Sequence, residues 1–214
     1  MSTTPISRPR RSTYRHGDLR NALLEAGIAL ARNGGPDAVV LREATRQAGV
    51  VPNAAYRHFA SREDLLLAVR AHALAQVARA MEVELDKLHP SVGALRYARD
   101  SVRAVGTGYL RYAHAEPGLF KTAFSSHERV EADPDPAKAG ASGMNPFQLL
   151  AMALDRLAAA GGLPPERREG AEYLAWSAVH GLSLLICEGP MQGLPEPVRD
   201  VIGQRLLDMV EKGL

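Results

Sequence analysis

The chain has 214 residues, of which 46% are hydrophobic and 23% charged; these proportions are ordinary for a globular protein and exclude a disordered or collagen-like chain. The single cysteine, Cys187, excludes a disulfide within the chain. Residues 1–62 hold ten basic and four acidic residues, a charge of +6, whereas the remainder holds 16 basic and 20 acidic ones, a charge of −4. This split predicts a polyanion-binding segment on a separate body, although a solvated basic surface that binds nothing would have the same composition.

The N-terminus and the hydropathy pattern indicate in which cellular compartment we expect the protein. Residues 1–14 carry prolines, hydroxyls and basic side chains without apolar periodicity, which predicts a disordered basic arm. No apolar core of a secretory signal follows this arm, and no apolar run reaches the roughly 18 residues that a transmembrane helix needs. We therefore expect a cytoplasmic protein that has no contact with membranes.

The rest of the chain predicts an all-α fold of about nine helices, because apolar residues recur every three or four positions and glycine or proline separates the segments. The expected helices span residues 18–33, 41–48, 52–59, 61–88, 91–115, 118–126, 146–160, 166–188 and 196–212. Ser61 is expected to cap the fourth helix. Residues 129–146, rich in Pro, Gly, Asp and Ala, are expected to form a mobile surface loop.

The segment from Leu41 to Arg62 carries the strongest functional signal. Two short helices joined at Gly49 predict a helix-turn-helix, in which the second helix enters the major groove of DNA. Helical spacing turns apolar residues inward, among them Ala44, Ala55 and Phe59. The outward positions carry Arg, Asn, Tyr and His, which are side chains that bond bases and phosphates. Spacing alone leaves a purely structural helix pair as an alternative.

Residues 16–69 closely resemble the N-terminal domain of the TetR/AcrR family of transcriptional regulators. The most specific match is Tyr56-Arg57-His58-Phe59, followed by Ser61-Arg62-Glu63-Asp64-Leu65. The resemblance implies a three-helix DNA-binding domain at residues 15–62. It further implies phosphate contacts by Tyr56, His58 and Arg62, and base contacts by Arg42, Asn53, Ala54 and Arg57. The sequence departs from the family pattern at Val51, where a capping Ser or Thr is usual, and at Ala44-Thr45, where a larger apolar residue is common.

The family resemblance also implies that residues 63–214 form a helical domain for ligand binding and dimerisation. Trp176-Ser177-Ala178-Val179-His180-Gly181 resembles the subgroup with a Trp-x-x-x-His-Gly motif. Trp176 and His180 are four residues apart and share a helix face, so that they either border an inducer pocket or pack in the core. The candidate ligand-binding residues are Tyr109, Tyr112, Phe120, Phe124, Met152, Trp176 and His180.

The last two predicted helices are strongly apolar on one face, and the resemblance implies that two copies pair there as a homodimer. Such a dimer would present two recognition helices about 34–36 Å apart to a pseudo-palindromic double-stranded DNA operator. The resemblance therefore implies a repressor that a small-molecule inducer releases from its operator. The alternatives are an activator, or a DNA-binding protein that acts without a ligand or without sequence preference.

An enzyme is the alternative from another class. The seven histidines form no zinc-type pair such as H-E-x-x-H, and no phosphate loop, dinucleotide-binding motif or G-x-S-x-G occurs. Cys187 lies in an apolar segment typical of a buried, unreactive thiol. We therefore expect no enzymatic activity, no metal and no cofactor.

Overall fold

The computed structural model describes residues 16–126 and 135–214, and the side chains of residues 16–18 are not described. The predicted N-terminal arm and residues 127–134 of the predicted loop lie outside the described residues. The described part contains ten α-helices and no strand, which confirms the predicted all-α fold. The helices are α1 (His16–Gly34), α2 (Leu41–Gln47), α3 (Pro52–Ala55), α4 (Arg62–Leu85), α5 (Ala94–Ala115), α6 (Pro117–Ala123), α7 (Pro146–Ala159), α8 (Pro165–Arg168), α9 (Ala171–Cys187) and α10 (Glu196–Gly213). None of them is long and apolar enough to cross a bilayer.

Two predicted helices differ from those observed. The third was expected to reach residue 59, but α3 ends at Ala55, and residues 56–58 form a turn. The segment predicted as one helix over residues 166–188 is divided into α8 and α9. Gly170 adopts a left-handed conformation (φ 76°) at this break, a geometry that glycine accommodates without strain and that stops an α-helix.

Helix α4 is the central element of the fold, because it packs against α1, α5, α6 and α7. Ser61 caps its N-terminus as predicted, accepting a hydrogen bond from the Asp64 backbone N–H at 3.1 Å. Its first half packs on α1, where the side chains of Leu65 and Val69 are fully buried. Its second half packs along α5, and the buried Met81 lies there. One continuous helix thus joins the predicted DNA-binding domain to the rest of the chain.

The predicted loop before α7 is anchored where the structure describes it. The Glu82 carboxylate on α4 accepts hydrogen bonds from the backbone N–H groups of Ala141 (2.8 Å) and Ser142 (2.9 Å) and from the Ser142 hydroxyl (2.5 Å). These bonds hold the pKa of Glu82 below its usual range. Helix α7 then begins with a capping box between Asn145 and Gln148. The start of α7 is therefore tied to α4.

The closest approach of α4 and α5 generates a test of this packing. A Cβ on Gly108 would overlap the Ala80 carbonyl oxygen and the Met81 Cα, which are backbone atoms of α4. We expect Gly108→Ala to lower the free energy of unfolding by about 1–3 kcal/mol, because the two helix backbones must separate. The measurement is urea denaturation at one fixed protein concentration.

Gly213→Ala is the matched control, because Gly213 also lies in a helix, at the exposed end of α10, and has open space around its Cβ position. We expect this substitution to leave stability unchanged or to raise it by less than about 1 kcal/mol through helix propensity. Equal effects of the two substitutions would contradict the close approach of α4 and α5.

Candidate functional site

The segment from α2 to the start of α4 has the predicted helix-turn-helix geometry. Gly49 takes a left-handed conformation (φ 68°) between α2 and α3, and the Val50 N–H donates back to the Thr45 carbonyl at 3.0 Å. The inward positions are filled as predicted, since Ala44 and Ala55 are fully buried and Phe59 is 2% exposed. The small side chains let α2 and α3 pack closely on α1. The buried side of the motif is therefore an ordinary core.

Four of the exposed side chains on the outer side of the motif are predicted DNA contacts: Arg42, Asn53, Tyr56 and Arg57. Within the described residues, none of these four makes a side-chain hydrogen bond or ion pair. Ala54 and His58 are half-buried beside them. Long cationic and polar side chains without internal partners are free to bond an external polyanion.

Arg62 has a different environment from the other six predicted DNA contacts. Its guanidinium donates from Nε to the Val39 carbonyl at 2.8 Å and from Nη2 to the Pro36 carbonyl at 2.9 Å. These bonds join the start of α4 to the segment before α2. Arg62 therefore holds the orientation of the helix-turn-helix, and its remaining nitrogen, Nη1, lies 3.7 Å from Oε2 of the exposed Glu63 carboxylate.

The departure at Val51 also has a structural consequence. Val51 precedes α3 and provides no side-chain cap, and its side chain is 68% exposed. The first turn of α3 is held instead by the ring of Pro52, whose φ suits the first helical position. The recognition helix thus lacks the hydroxyl contact that a Ser or Thr would offer.

A second feature of the chain is a narrow apolar cavity among α4, α5, α7, α9 and α10. About 40 Å³ of its interior is wide enough for the centre of a water molecule. The wall includes three of the seven predicted ligand-binding residues: Tyr109, Phe124 and Trp176. The other residues of the wall are Met81, Val102, Arg103, Val105, Gly106, Pro146, Phe147, Leu150, Ala175, Val179, Leu207, Val210 and Glu211.

The four remaining predicted ligand-binding residues lie outside the wall of this cavity. Phe120 and Tyr112 are buried in the core, and Met152 packs half-buried against it. His180 lies behind the wall, with its ring centroid 5.0 Å from that of Phe124. Sequence reasoning missed Phe147, although it lies in the first turn of α7, directly after the capping Asn145-Pro146 pair that marks a helix start.

A hydrogen-bonded chain links three of these aromatic residues. The Trp176 Nε1–H donates to the Tyr109 hydroxyl oxygen at 3.0 Å, and that hydroxyl lies 2.7 Å from His180 Nδ1. Burial raises the pKa of Tyr109 and lowers the pKa of His180, so both groups are neutral near pH 7. Among the described residues no other acceptor lies near the Tyr109 O–H, so the hydroxyl is satisfied only as the donor to His180 Nδ1, with the ring proton on Nε2. The Trp-x-x-x-His spacing thus places two partners around one buried phenol.

Ion pairs lie at the α10 side of the cavity. The Arg103 guanidinium bonds the Asp208 carboxylate, with Nη1 at 2.6 Å from Oδ1. Arg99 Nε lies 3.7 Å from Glu211 Oε1. Of these four groups, Arg103 and Glu211 belong to the cavity wall. These four charged side chains, which we call the rim of the cavity, therefore pair with one another.

Helix α6 connects this cavity to the helix-turn-helix domain. Its N-terminal end lies against α1, where a Cβ on Gly118 would overlap the carbonyl oxygens of Ala31 and Arg32. Arg32 also donates to the Glu116 carboxylate at 2.8 Å. At the other end, Phe124 forms part of the cavity wall.

A second contact fastens α6 to α4. The buried Arg70 donates from Nε to the Ala123 carbonyl at 3.1 Å. The wall of the cavity and the end of α1 are thus joined through a helix of seven residues.

The hydrogen-bonded chain gives a test with a matched control. Tyr109→Phe leaves the Trp176 N–H without its acceptor, and an unsatisfied buried donor costs about 1–3 kcal/mol. Tyr112 is also buried on α5, but its hydroxyl has no partner among the described residues. We therefore expect Tyr112→Phe to leave stability unchanged or to raise it.

Urea denaturation followed by tryptophan fluorescence measures both variants, because Trp176 is the only tryptophan of the chain. Only Tyr109→Phe is expected to shift the emission of the folded protein. Equal losses of stability in both variants would show that the hydrogen bonds contribute nothing.

Comparison with known proteins finds two family models that match the chain. Residues 23–69 match the family model of bacterial regulatory proteins of the tetR family, and residues 102–210 match the tetracyclin repressor-like C-terminal domain. The Trp-x-x-x-His-Gly subgroup stays a prediction.

One sequence relative carries a matching description, and solved structures share the fold. An uncharacterised HTH-type transcriptional regulator of Mycobacterium tuberculosis is 26% identical over 175 residues, which cover 82% of this chain and 73% of that protein. The solved structure of a Rhodococcus protein of unknown function has a TM-score of 0.74 at 24% identity, covering 95% of this chain and 99% of that one. The TetR family regulator PfmR from Thermus thermophilus has a TM-score of 0.58 at 17% identity, covering 90% and 98%. The chain belongs to the TetR family of transcriptional regulators.

Proposed function

We propose that this regulator is a homodimeric repressor that binds a pseudo-palindromic operator in the cytoplasm and releases it when a small molecule enters the cavity. The observation that carries the DNA-binding part is the set of exposed, unpartnered side chains of Arg42, Asn53, Tyr56 and Arg57 on one side of the helix-turn-helix. The cavity supports the ligand-dependent part.

The roles of the exposed residues follow from their chemistry. Arg57 and Asn53 have the donor geometry that reads guanine and adenine, and the half-buried Ala54 allows close approach to a thymine methyl. Arg42 lies at the start of α2 and reaches a base edge of the same groove. Tyr56 and His58 bond phosphate oxygens, and these contacts set the register of the recognition helix. Arg62 adds a phosphate contact from Nη1, for which the phosphate replaces the exposed Glu63 carboxylate as the partner.

The homodimer is supported by apolar side chains that the single chain leaves uncovered on its last two long helices. Leu174 and Leu185 share one face of α9 and are 66% and 43% exposed. Val201 and Met209 on α10 are 59% and 60% exposed. Since α9 packs beside α10, a second copy would bury these exposed side chains by two-fold pairing of the two helices.

Release of the operator is supported by the connection through α6. A ligand that occupies the cavity displaces Phe124, and α6 transmits this displacement to α1 at Gly118 and Arg32. The spacing of the two recognition helices then changes. The loss of operator affinity equals the difference in ligand affinity between the DNA-bound and released states.

The first experiment measures binding of the purified protein to labelled DNA from its own upstream region, with a scrambled duplex as the control and several salt concentrations. We expect a preference for the upstream DNA of about a thousandfold or more, which is typical of specific regulators. Steep salt dependence with equal affinity for both duplexes would contradict sequence-specific regulation. A promoter fusion measured with and without the protein then tests repression, because an activator would raise the signal.

Arg57 offers a test at the level of one side chain. We expect Arg57→Ala to weaken operator binding by about 1–3 kcal/mol and to relax the preference at one base position, because a guanidinium that reads a base edge is lost. Arg167→Ala is the control, since Arg167 is an exposed arginine on α8, far along the chain from the motif. Uniform weakening over all sequences would instead make Arg57 a phosphate contact.

A further inference from the structure

The cavity carries information about the kind of molecule it accepts. We propose that it takes an uncharged, flat aromatic molecule, which inserts beside Trp176 and is held by ring contacts rather than by charge. This inference rests on the proposed function in treating the cavity as the ligand site, and it narrows that site to one chemical class.

The walls and the size of the cavity favour a single aromatic ring. The ring centroids of Phe124 and Phe147 lie 6.0 Å and 6.2 Å from that of Trp176, so the indole has two aromatic neighbours. Aliphatic side chains of Val102, Leu150 and Leu207 belong to the same wall. The interior has room for about three water molecules, which is also the scale of one ring. A ring placed there gains dispersion and edge-to-face contacts.

The aromatic side chains of the cavity wall offer no free hydrogen-bond donor to an anion. The Trp176 N–H donates to Tyr109, and the Tyr109 hydroxyl donates to His180 Nδ1. Both donors of the aromatic chain are therefore used inside the protein. A carboxylate or sulfonate placed there would lose its water without gaining a hydrogen bond, which is strongly unfavourable.

The rim of the cavity has no net charge with which to attract an ion. Arg103 is bonded to Asp208, and Glu211 lies near Arg99, so two cations and two anions compensate one another. An anion that approaches Arg103 competes with Asp208 and meets Glu211 on the same wall. A cation that approaches Glu211 meets Arg103. Either ion would lose its hydration water without gaining an opposite charge that is free to pair with it.

The test compares aromatic dyes of similar size and different charge on the full-length protein. All three dyes carry one ring, to match the size of the cavity: the neutral dye is 4-nitroaniline, the anionic one is 4-nitrobenzoate, and the cationic one is 4-nitrobenzylammonium. Quenching of Trp176 emission reports binding in the cavity, because no other tryptophan is present. We expect the neutral dye to bind at least about tenfold more tightly than either ion.

Two pairs of matched variants assign the binding to the cavity and to its rim. Ala175→Phe fills the cavity from a wall position that is 4% exposed, whereas Ala159→Phe adds the same ring at an exposed position on α7. We expect only the first to abolish binding of the neutral dye. Glu211→Gln leaves the rim with a net positive charge, and Glu166→Gln removes the same charge from exposed α8. Only Glu211→Gln is expected to raise the affinity for the anionic dye, by several-fold.

The outcomes separate this inference from the proposed function. Binding of either ionic dye as tight as that of the neutral dye would overturn the inference, as would the absence of neutral-dye binding by a protein that still binds its operator. If Ala175→Phe fails to fold, the Glu211→Gln comparison decides, and an unchanged preference would overturn the role of the rim. Tight neutral-dye binding by a protein that binds no operator would uphold the cavity and reject the DNA-binding function.

Discussion

The continuity of α4 is the constraint on which the rest of the structure depends. At 24 residues it is about 36 Å long, and it runs from the capped turn beside the recognition helix past the cavity wall at Met81. Its first half is buried against α1 and its second half against α5. Neither half can rotate far without disturbing the other, because a hydrogen-bonded helix transmits rotation along its axis. DNA-binding motif and cavity thus share one rigid element, and the Arg70 bond to the end of α6 braces it from the side.

The charged and the apolar functions are kept apart in the chain. The outer side of α2 and α3 includes four polar side chains, those of Arg42, Asn53, Tyr56 and Arg57, that make no hydrogen bond or ion pair within the described residues and are therefore available to an external partner. Around the cavity, the polar groups are satisfied within the protein: the phenol of Tyr109 has two partners, and the Arg103 charge is met by Asp208. The first arrangement suits a strongly hydrated polyanion. The second suits a molecule that leaves water readily.

Local sequence features predicted the elements whose causes are themselves local. The Ser61 cap, the turn at Gly49 and the burial of Phe59 follow from residue type and spacing, and the structure confirms all three. The break at Gly170 was not predicted, because a glycine inside an apolar helical pattern is often tolerated. The carbonyl partners of Arg62 are distant in sequence, so its role in holding the motif required the fold.

The cavity wall could likewise be predicted only in part, because it is formed by residues that are far apart in the chain. Trp176, Tyr109 and Phe124 were predicted from aromatic character, but Phe147, Arg103 and Glu211 meet them only through the packing of α5, α7 and α10. The size of the cavity depends on side-chain contacts among five helices. No single helical pattern contains that information.

The contact at Gly118 has a consequence for how this regulator tolerates sequence change. Because the end of α6 rests on the carbonyl oxygens of Ala31 and Arg32, the distance between the two domains is set there by main-chain atoms. Main-chain atoms are the same whatever residues stand at positions 31 and 32. Substitutions at positions 31 and 32 therefore leave the spacing of α6 and α1 unchanged, whereas any side chain at position 118 would widen it.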